Sequence, residues 1–212
     1  MPNWTSNRVY FKTKTAKEAE ATIARLNGNS KDPNAVAFTF QAFIPMPEEL
    51  DLADGSQLTT GYNFLKMHPD GIAGPDEETP SEEALELGRK AIANEQRYGA
   101  RTWFDWCSEH WGTKWDACSV RIERTDETHF ILHFDTAWRV PRPIAKKLKS
   151  VFGKRLIAWI YHDEFDCAEP VGIEKLQEEG FDVEDMICPR WERLDFSTLS
   201  RRSRSRRELT SF

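Results

Sequence analysis

Three sets of residues in this chain have types and spacing that suit chemistry. The first is metal-like. Cys107 and His110 stand three apart, and Cys118, His129 and His133 follow shortly after. Thiolates and imidazoles hold zinc, but several must converge on one ion. His129 and His133 are four apart on a strand-like run, so their Cα atoms are about 13 Å apart and cannot share an ion. Cys118 belongs to an apolar alternation, and no CxxC pair occurs among the four cysteines, so no metal ligand is assigned. The second set is "HDEFD", which clusters Asp163, Glu164 and Asp166 just past an apolar run. Three acids at a strand end can hold Mg²⁺. No partner acid or phosphate loop accompanies them, so the plain reading is a solvated acidic loop. The third set is cationic: Arg139, Arg142, Lys146, Lys147, Lys149, Lys154 and Arg155, with Trp138 adjacent. Cations beside an aromatic suit phosphates and bases, although the RNA-recognition signature is absent. No GxGxxG, P-loop, HExxH or GxSxG motif occurs. No catalytic residue and no cofactor is assigned.

Elements must position these groups. "WTSNRVYF" reads as a first strand, and "TAKEAEATIARLNG" as a helix capped by Thr15 and closed by Asn27-Gly28. "AVAFTFQAFIP" alternates cleanly, with Val36, Phe38, Phe40, Ala42 and Ile44 on one face, and is expected to be a half-buried strand. Residues 45–80 carry repeated Pro and Gly and read as a long connection. A helix is expected from a Thr79 cap and Pro80 to about Tyr98-Gly99, then a short one over "RTWFDWCSEH". Two strands joined by a hairpin at Thr125-Asp126-Glu127 follow. In the second, Phe130, Leu132, Phe134, Thr136 and Trp138 share a face. "RPIAKKLKSVFGKR" is a helix. "RLIAWIYH" is apolar on both sides and is expected to be a central strand. "MICPRWERL" suggests a late strand that Pro189 confines to an edge. The order gives an α+β fold: a ferredoxin-like mixed or antiparallel sheet with helices packed on one face and a long insertion. Residues 1–163 form this domain, with the insertion at 45–80. A C-terminal extension covers 164–200. Residues 201–212, which include "RRSRSRR", form a basic tail expected to be disordered.

"HWGTKWDA" is the sharpest local motif. Gly112 suits a positive φ where a helix turns into a strand, Trp111 and Trp115 cover the junction, and Asp116 accepts from turn amides. Lys114 is the odd member, since a long cation needs water or a partner. Taken with "MPNW", Asn7, and "FDTAW" followed by Pro141, this motif resembles the YubB/Api92-like proteins of plasmids and phages. The resemblance implies a ferredoxin-like fold and a mobile-element origin. It implies no activity and no catalytic residue. Val140 departs from the second proline expected there, and the match stops before residue 163.

The chain has 212 residues, net charge −6, eight Trp and thirteen Phe, so an aromatic core is expected. Without residues 201–212 the remainder holds 24 basic and 34 acidic residues. An acidic body argues against coating DNA or membrane wholesale. There is no apolar run long enough to span a membrane and no signal-peptide pattern at the start, so a cytoplasmic protein is expected. The first functional expectation is a non-enzymatic interaction protein that engages a host or phage protein. The second is a nucleic-acid-binding accessory protein using the Arg139–Arg155 patch and the tail. The third is a metal-dependent enzyme at Asp163, Glu164 and Asp166. Oligomeric state is not legible.

Overall fold

The computed structural model describes residues 3–32 and 34–162 in full, and Asp163 and Glu192–Arg193 by backbone alone. The readings of Glu164, Asp166, the C-terminal extension and the arginine tail therefore lie outside the described residues, apart from the short strand at 192–193.

The fold is α+β, built on an antiparallel sheet. Strand β1 (Trp4–Lys12) is followed by helix α1 (Ala16–Leu26). Thr15 caps α1 by accepting the Glu18 N–H, as its sequence predicts. Strands β2 (Cys118–Arg124) and β3 (His129–Ala137) form the expected hairpin, followed by helix α5 (Arg142–Phe152) and strand β4 (Leu156–Asp163). The sheet order is β2-β3-β1-β4, with a two-residue strand β5 (Glu192–Arg193) on the outer edge of β4. That edge strand falls inside the late strand expected from "MICPRWERL". Strand β4 is interior, as expected, since it pairs with β1 on one side and with β5 on the other, while β1 takes the middle position between β3 and β4. Burial on both faces says how a strand is covered, whereas hydrogen-bond pairing decides where it sits.

Register fixes what faces what. Asn7, Val9 and Phe11 stand opposite Phe134, Leu132 and Phe130, and Trp159 stands opposite Val9. This face is an aromatic core: Phe11 stacks on Phe130 at 4.8 Å, and Phe134 meets Trp159 edge-on at 5.6 Å. Phe152 of α5 meets Phe11 edge-on at 5.4 Å. Asn7 is the polar exception in it. Its amide donates to the Thr5 carbonyl and to Thr136 Oγ1, and its Oδ1 accepts the Trp159 indole N–H at 3.0 Å. A buried side chain satisfied on both donor and acceptor sides costs little.

The strand expected over residues 36–44 is absent. Phe38 and Phe40 are buried, but Val36 is 58% exposed and Phe40–Ala42 is a short 3₁₀ turn. Its backbone has no ladder partner. The Phe40 N–H donates instead to the Asp116 carboxylate at 2.7 Å, and the Thr39 N–H to the Leu26 carbonyl. The aromatic spacing fills the core without a strand.

The chain divides into two compact units, one containing the sheet and the other Pro45–His110. The second holds helices α2 (Ser56–Met67), α3 (Glu82–Tyr98) and α4 (Trp103–His110). Helix α2 lies inside the stretch read as a long connection, where its glycine masked the spacing of Leu58, Tyr62 and Leu65. Helix α3 is capped by Ser81, which accepts the Ala84 N–H, rather than by Thr79. Gly99 closes α3 at φ 72, where glycine adopts the left-handed region without a Cβ penalty.

Candidate nucleic-acid interface

The "WGTKWDA" stretch ties several parts of the sheet unit together. Trp111 is buried, and its indole N–H donates to the Ile44 carbonyl at 2.8 Å. Gly112 sits at φ 80, where a Cβ would lie 2.7 Å from Pro143 Cδ. Both facts require glycine there. Thr113 Oγ1 donates to the Ala137 carbonyl at 2.6 Å. The Asp116 carboxylate accepts from Thr39 Oγ1, the Phe40 N–H and the Ala117 N–H. Trp115 is only half-buried and lies 6.1 Å from Trp4. Lys114 places its ammonium 4.5 Å from the Trp115 ring centre and 5.4 Å from that of Trp138, so its charge rests on two aromatic faces.

Trp138 does not continue the inward face of β3, as the alternation predicted. The strand ends at Ala137, and Trp138 takes φ 74 while its N–H donates to the Asn3 carbonyl at 2.7 Å. A positive φ breaks the two-residue period and turns the ring outward, 40% exposed.

Arg139 follows, exposed, and then α5. This helix buries Ile144, Ala145, Leu148 and Phe152 and ends at Gly153. Arg142, Lys146 and Lys147 are exposed, and Lys149 is half-buried. Arg142, Lys146 and Lys149 follow an i, i+4, i+7 spacing and so lie on one stripe about 10 Å long; Lys147 projects to one side of it. Lys149 Nζ also donates to the Leu156 carbonyl at 2.7 Å. From Arg139 to Arg155 the chain carries seven cations and no acid. Like charges at i, i+4 repel and slightly destabilise an isolated helix, so α5 is held by its buried face and not by its surface.

On the opposite face of the sheet the register assembles a polar cluster that sequence patterning did not reveal. His133 stands opposite both Arg8 of β1 and Arg121 of β2. Arg121 approaches His133 Nδ1 at 3.1 Å, and Glu123 Oε2 lies 3.0 Å from His133 Nε2. A guanidinium only donates, so Nδ1 accepts and the ring is neutral with its proton on Nε2. Burial, with the Arg121 and Arg8 charges, pulls the His133 pKa down to about 4 against the pull of Glu123. Burial likewise pushes the Tyr10 hydroxyl up to about 12, opposed in part by Arg8. Tyr10 is fully buried and His133 nearly so, so neither ring is open to a base.

Cys107 and His110 belong to the Pro45–His110 unit, and Cys118, His129 and His133 to the sheet unit. Among the described residues no three His, Cys, Asp or Glu side chains group to hold a metal ion. Among them, too, no helix is long and apolar enough to cross a membrane.

No family model matches the chain, and no curated protein matches it. A crystal structure of a protein Api92 from Yersinia pseudotuberculosis, assigned to a domain-of-unknown-function family, is similar to it at 10% identity, with 77% of this chain and 89% of that chain covered and a TM-score of 0.32. At that score the likeness carries no argument about fold or function.

Proposed function

We propose that this protein is a non-enzymatic accessory protein that binds nucleic acid along the cationic stripe of α5. The acid-free run from Arg139 to Arg155, centred on helix α5 in a chain with net charge −6, carries the reading. On a body that is acidic overall, a segregated basic face attracts a polyanion locally and so orients the ligand. Trp138, exposed just before the helix, adds a ring on which a base can stack, and this favours single strands. The βαββαβ order with a helical insertion supports a ferredoxin-like reading of the fold, as does the motif resemblance to the YubB/Api92-like proteins, from which a mobile-element origin is also inferred. In contrast to sheet-face RNA binders, the interface here is a helix.

The test is fluorescence anisotropy with a short single-stranded oligonucleotide. With four phosphate contacts, log affinity should fall against log salt with a slope of about −3. Arg142→Glu with Lys146→Glu should weaken binding without changing the melting temperature. No binding at low salt sinks the reading. A second reading, an interaction protein for a host or phage partner, rests on the outward Trp138 at its positive φ. In that case a lysate capture should recover one stable partner that Trp138→Ala loses, with nucleic acid removed by nuclease.

A further inference from the structure

A cavity of about 410 Å³ opens where β1 ends and β4 begins. Among the described residues, Lys12, Lys14, Lys149, Lys154 and Arg155 line it together with the acid Glu18. The five cations come from two distant stretches of chain, residues 12–14 and 149–155, and folding brings the two together. Glu18 is already engaged. Its Oε2 accepts the Lys14 backbone N–H at 2.9 Å, and its Oε1 lies 3.8 Å from Arg155 Nε. Arg155 is in turn positioned by its donation to the Phe152 carbonyl at 3.3 Å. Among the described residues that line this concave site, cations therefore outnumber acids. Lys149 belongs both to this cavity and to the α5 stripe, so the two are continuous.

We propose that this cavity is a subsite for a phosphate monoester, the terminal phosphate of a strand lying on α5. The inference rests on the nucleic-acid reading for its polymeric source. The chemistry of the site stands apart from it, because a monoester dianion is matched better than a diester by several converging cations. A diester carries one negative charge, and a terminal phosphate carries nearly two at neutral pH. Lysines at a concave site act as point charges that favour the doubly charged form. The volume lies at the small end of ligand sites, enough for a phosphate with one nucleoside. A free mononucleotide offers the same group, so the experiment must separate the two sources.

The full chain is titrated by anisotropy with two 3′-labelled single-stranded oligonucleotides of one sequence, one ending in a 5′-phosphate and one in a 5′-hydroxyl. Adenosine monophosphate and inorganic phosphate are titrated in parallel and followed by NMR. Lys14→Ala is the companion variant, since Lys14 lies outside the Arg139–Arg155 run, its side chain is exposed and its loss leaves the core intact. The 5′-phosphate should tighten binding about tenfold. The variant should lose that preference while keeping the affinity of the 5′-hydroxyl strand. Equal affinity of the two strands overturns the subsite and leaves the α5 reading standing. If neither strand binds but the monophosphate does, and the variant does not bind it, the subsite holds with a free phosphate ester as its ligand and the polymer reading fails. If no phosphate-bearing probe binds at low salt, both fail.

Discussion

Asp116 does more than its place in a turn requires. One carboxylate accepts from the Thr39 hydroxyl and from the Phe40 and Ala117 amides, joining segments that lie more than seventy residues apart. Asp116→Ala should therefore cost about 1–3 kcal/mol, because it strands three partly buried donors. Lys114→Ala, which removes contacts to two partly exposed rings, should cost under 1 kcal/mol. Urea unfolding of the two variants gives the comparison, and equal midpoints would show that the corner is not held by Asp116. His133 sets a pH dependence. Its folded pKa of about 4 lies below the ordinary histidine value of 6.5, so as pH falls the unfolded chain takes up the proton first. The stability that the neutral ring confers is complete above pH 6.5. It is lost between pH 6.5 and 4, at up to about 1.4 kcal/mol per pH unit. Arg8, Arg121 and Glu123 face the ring and should shape that slope. In His133→Gln the slope over this window should flatten; an unchanged pH profile would remove His133 as its source.

At the scale of elements, the contact between α2 and α3 is the most exacting. A methyl group at Gly61 would overlap the Ala84 carbonyl, and one at Gly88 would overlap the Gly61 backbone. The two helices touch backbone to backbone where both lack side chains. Near that crossing, the Tyr62 hydroxyl donates to the Glu95 carboxylate at 2.8 Å and Lys66 pairs with the same group at 3.2 Å. In most exposed helix positions Gly→Ala is stabilising by up to about 1 kcal/mol. Here Gly88→Ala should instead destabilise by about 1–3 kcal/mol or more, since the backbones must separate. Thermal melting decides the sign. Gly99→Ala should also destabilise, more mildly, because nothing lies within 4 Å of its added Cβ and only the φ of 72 opposes it.

At the scale of the molecule, the chain leaves the sheet unit after Ile44 and re-enters it at Trp111. The Trp111 indole donates to the Ile44 carbonyl at 2.8 Å, so departure and return lie side by side. Replacing residues 45–110 by a flexible linker of about six residues should then leave the sheet unit folded, because closing a short loop costs little. Circular dichroism with a cooperative melt checks this, and a non-cooperative product would mean that the sheet needs the helices.

The sequence by itself determined β1, α1, the β2–β3 hairpin, α4, α5 and β4. The helices α1 and α5 combine an apolar period with a cap or a glycine stop, and the strands show apolar alternation or a continuous apolar run. It also determined the charge segregation on α5, which needs no folding to be read. It misread residues 36–44, because alternation records which side chains are buried and not whether the backbone finds a ladder. It missed α2, where Gly61 suggested a loop although glycine is there to let α3 approach. Trp138 escaped the pattern because a positive φ reverses the face of every later residue. Only the tertiary structure placed Arg8 and Arg121 against His133, and only it brought Lys12, Lys14 and Lys154 around one cavity. Strand register and loop closure bring Arg8 to His133 and Lys12 to Lys154, residues more than a hundred positions apart, and no local period encodes such a meeting.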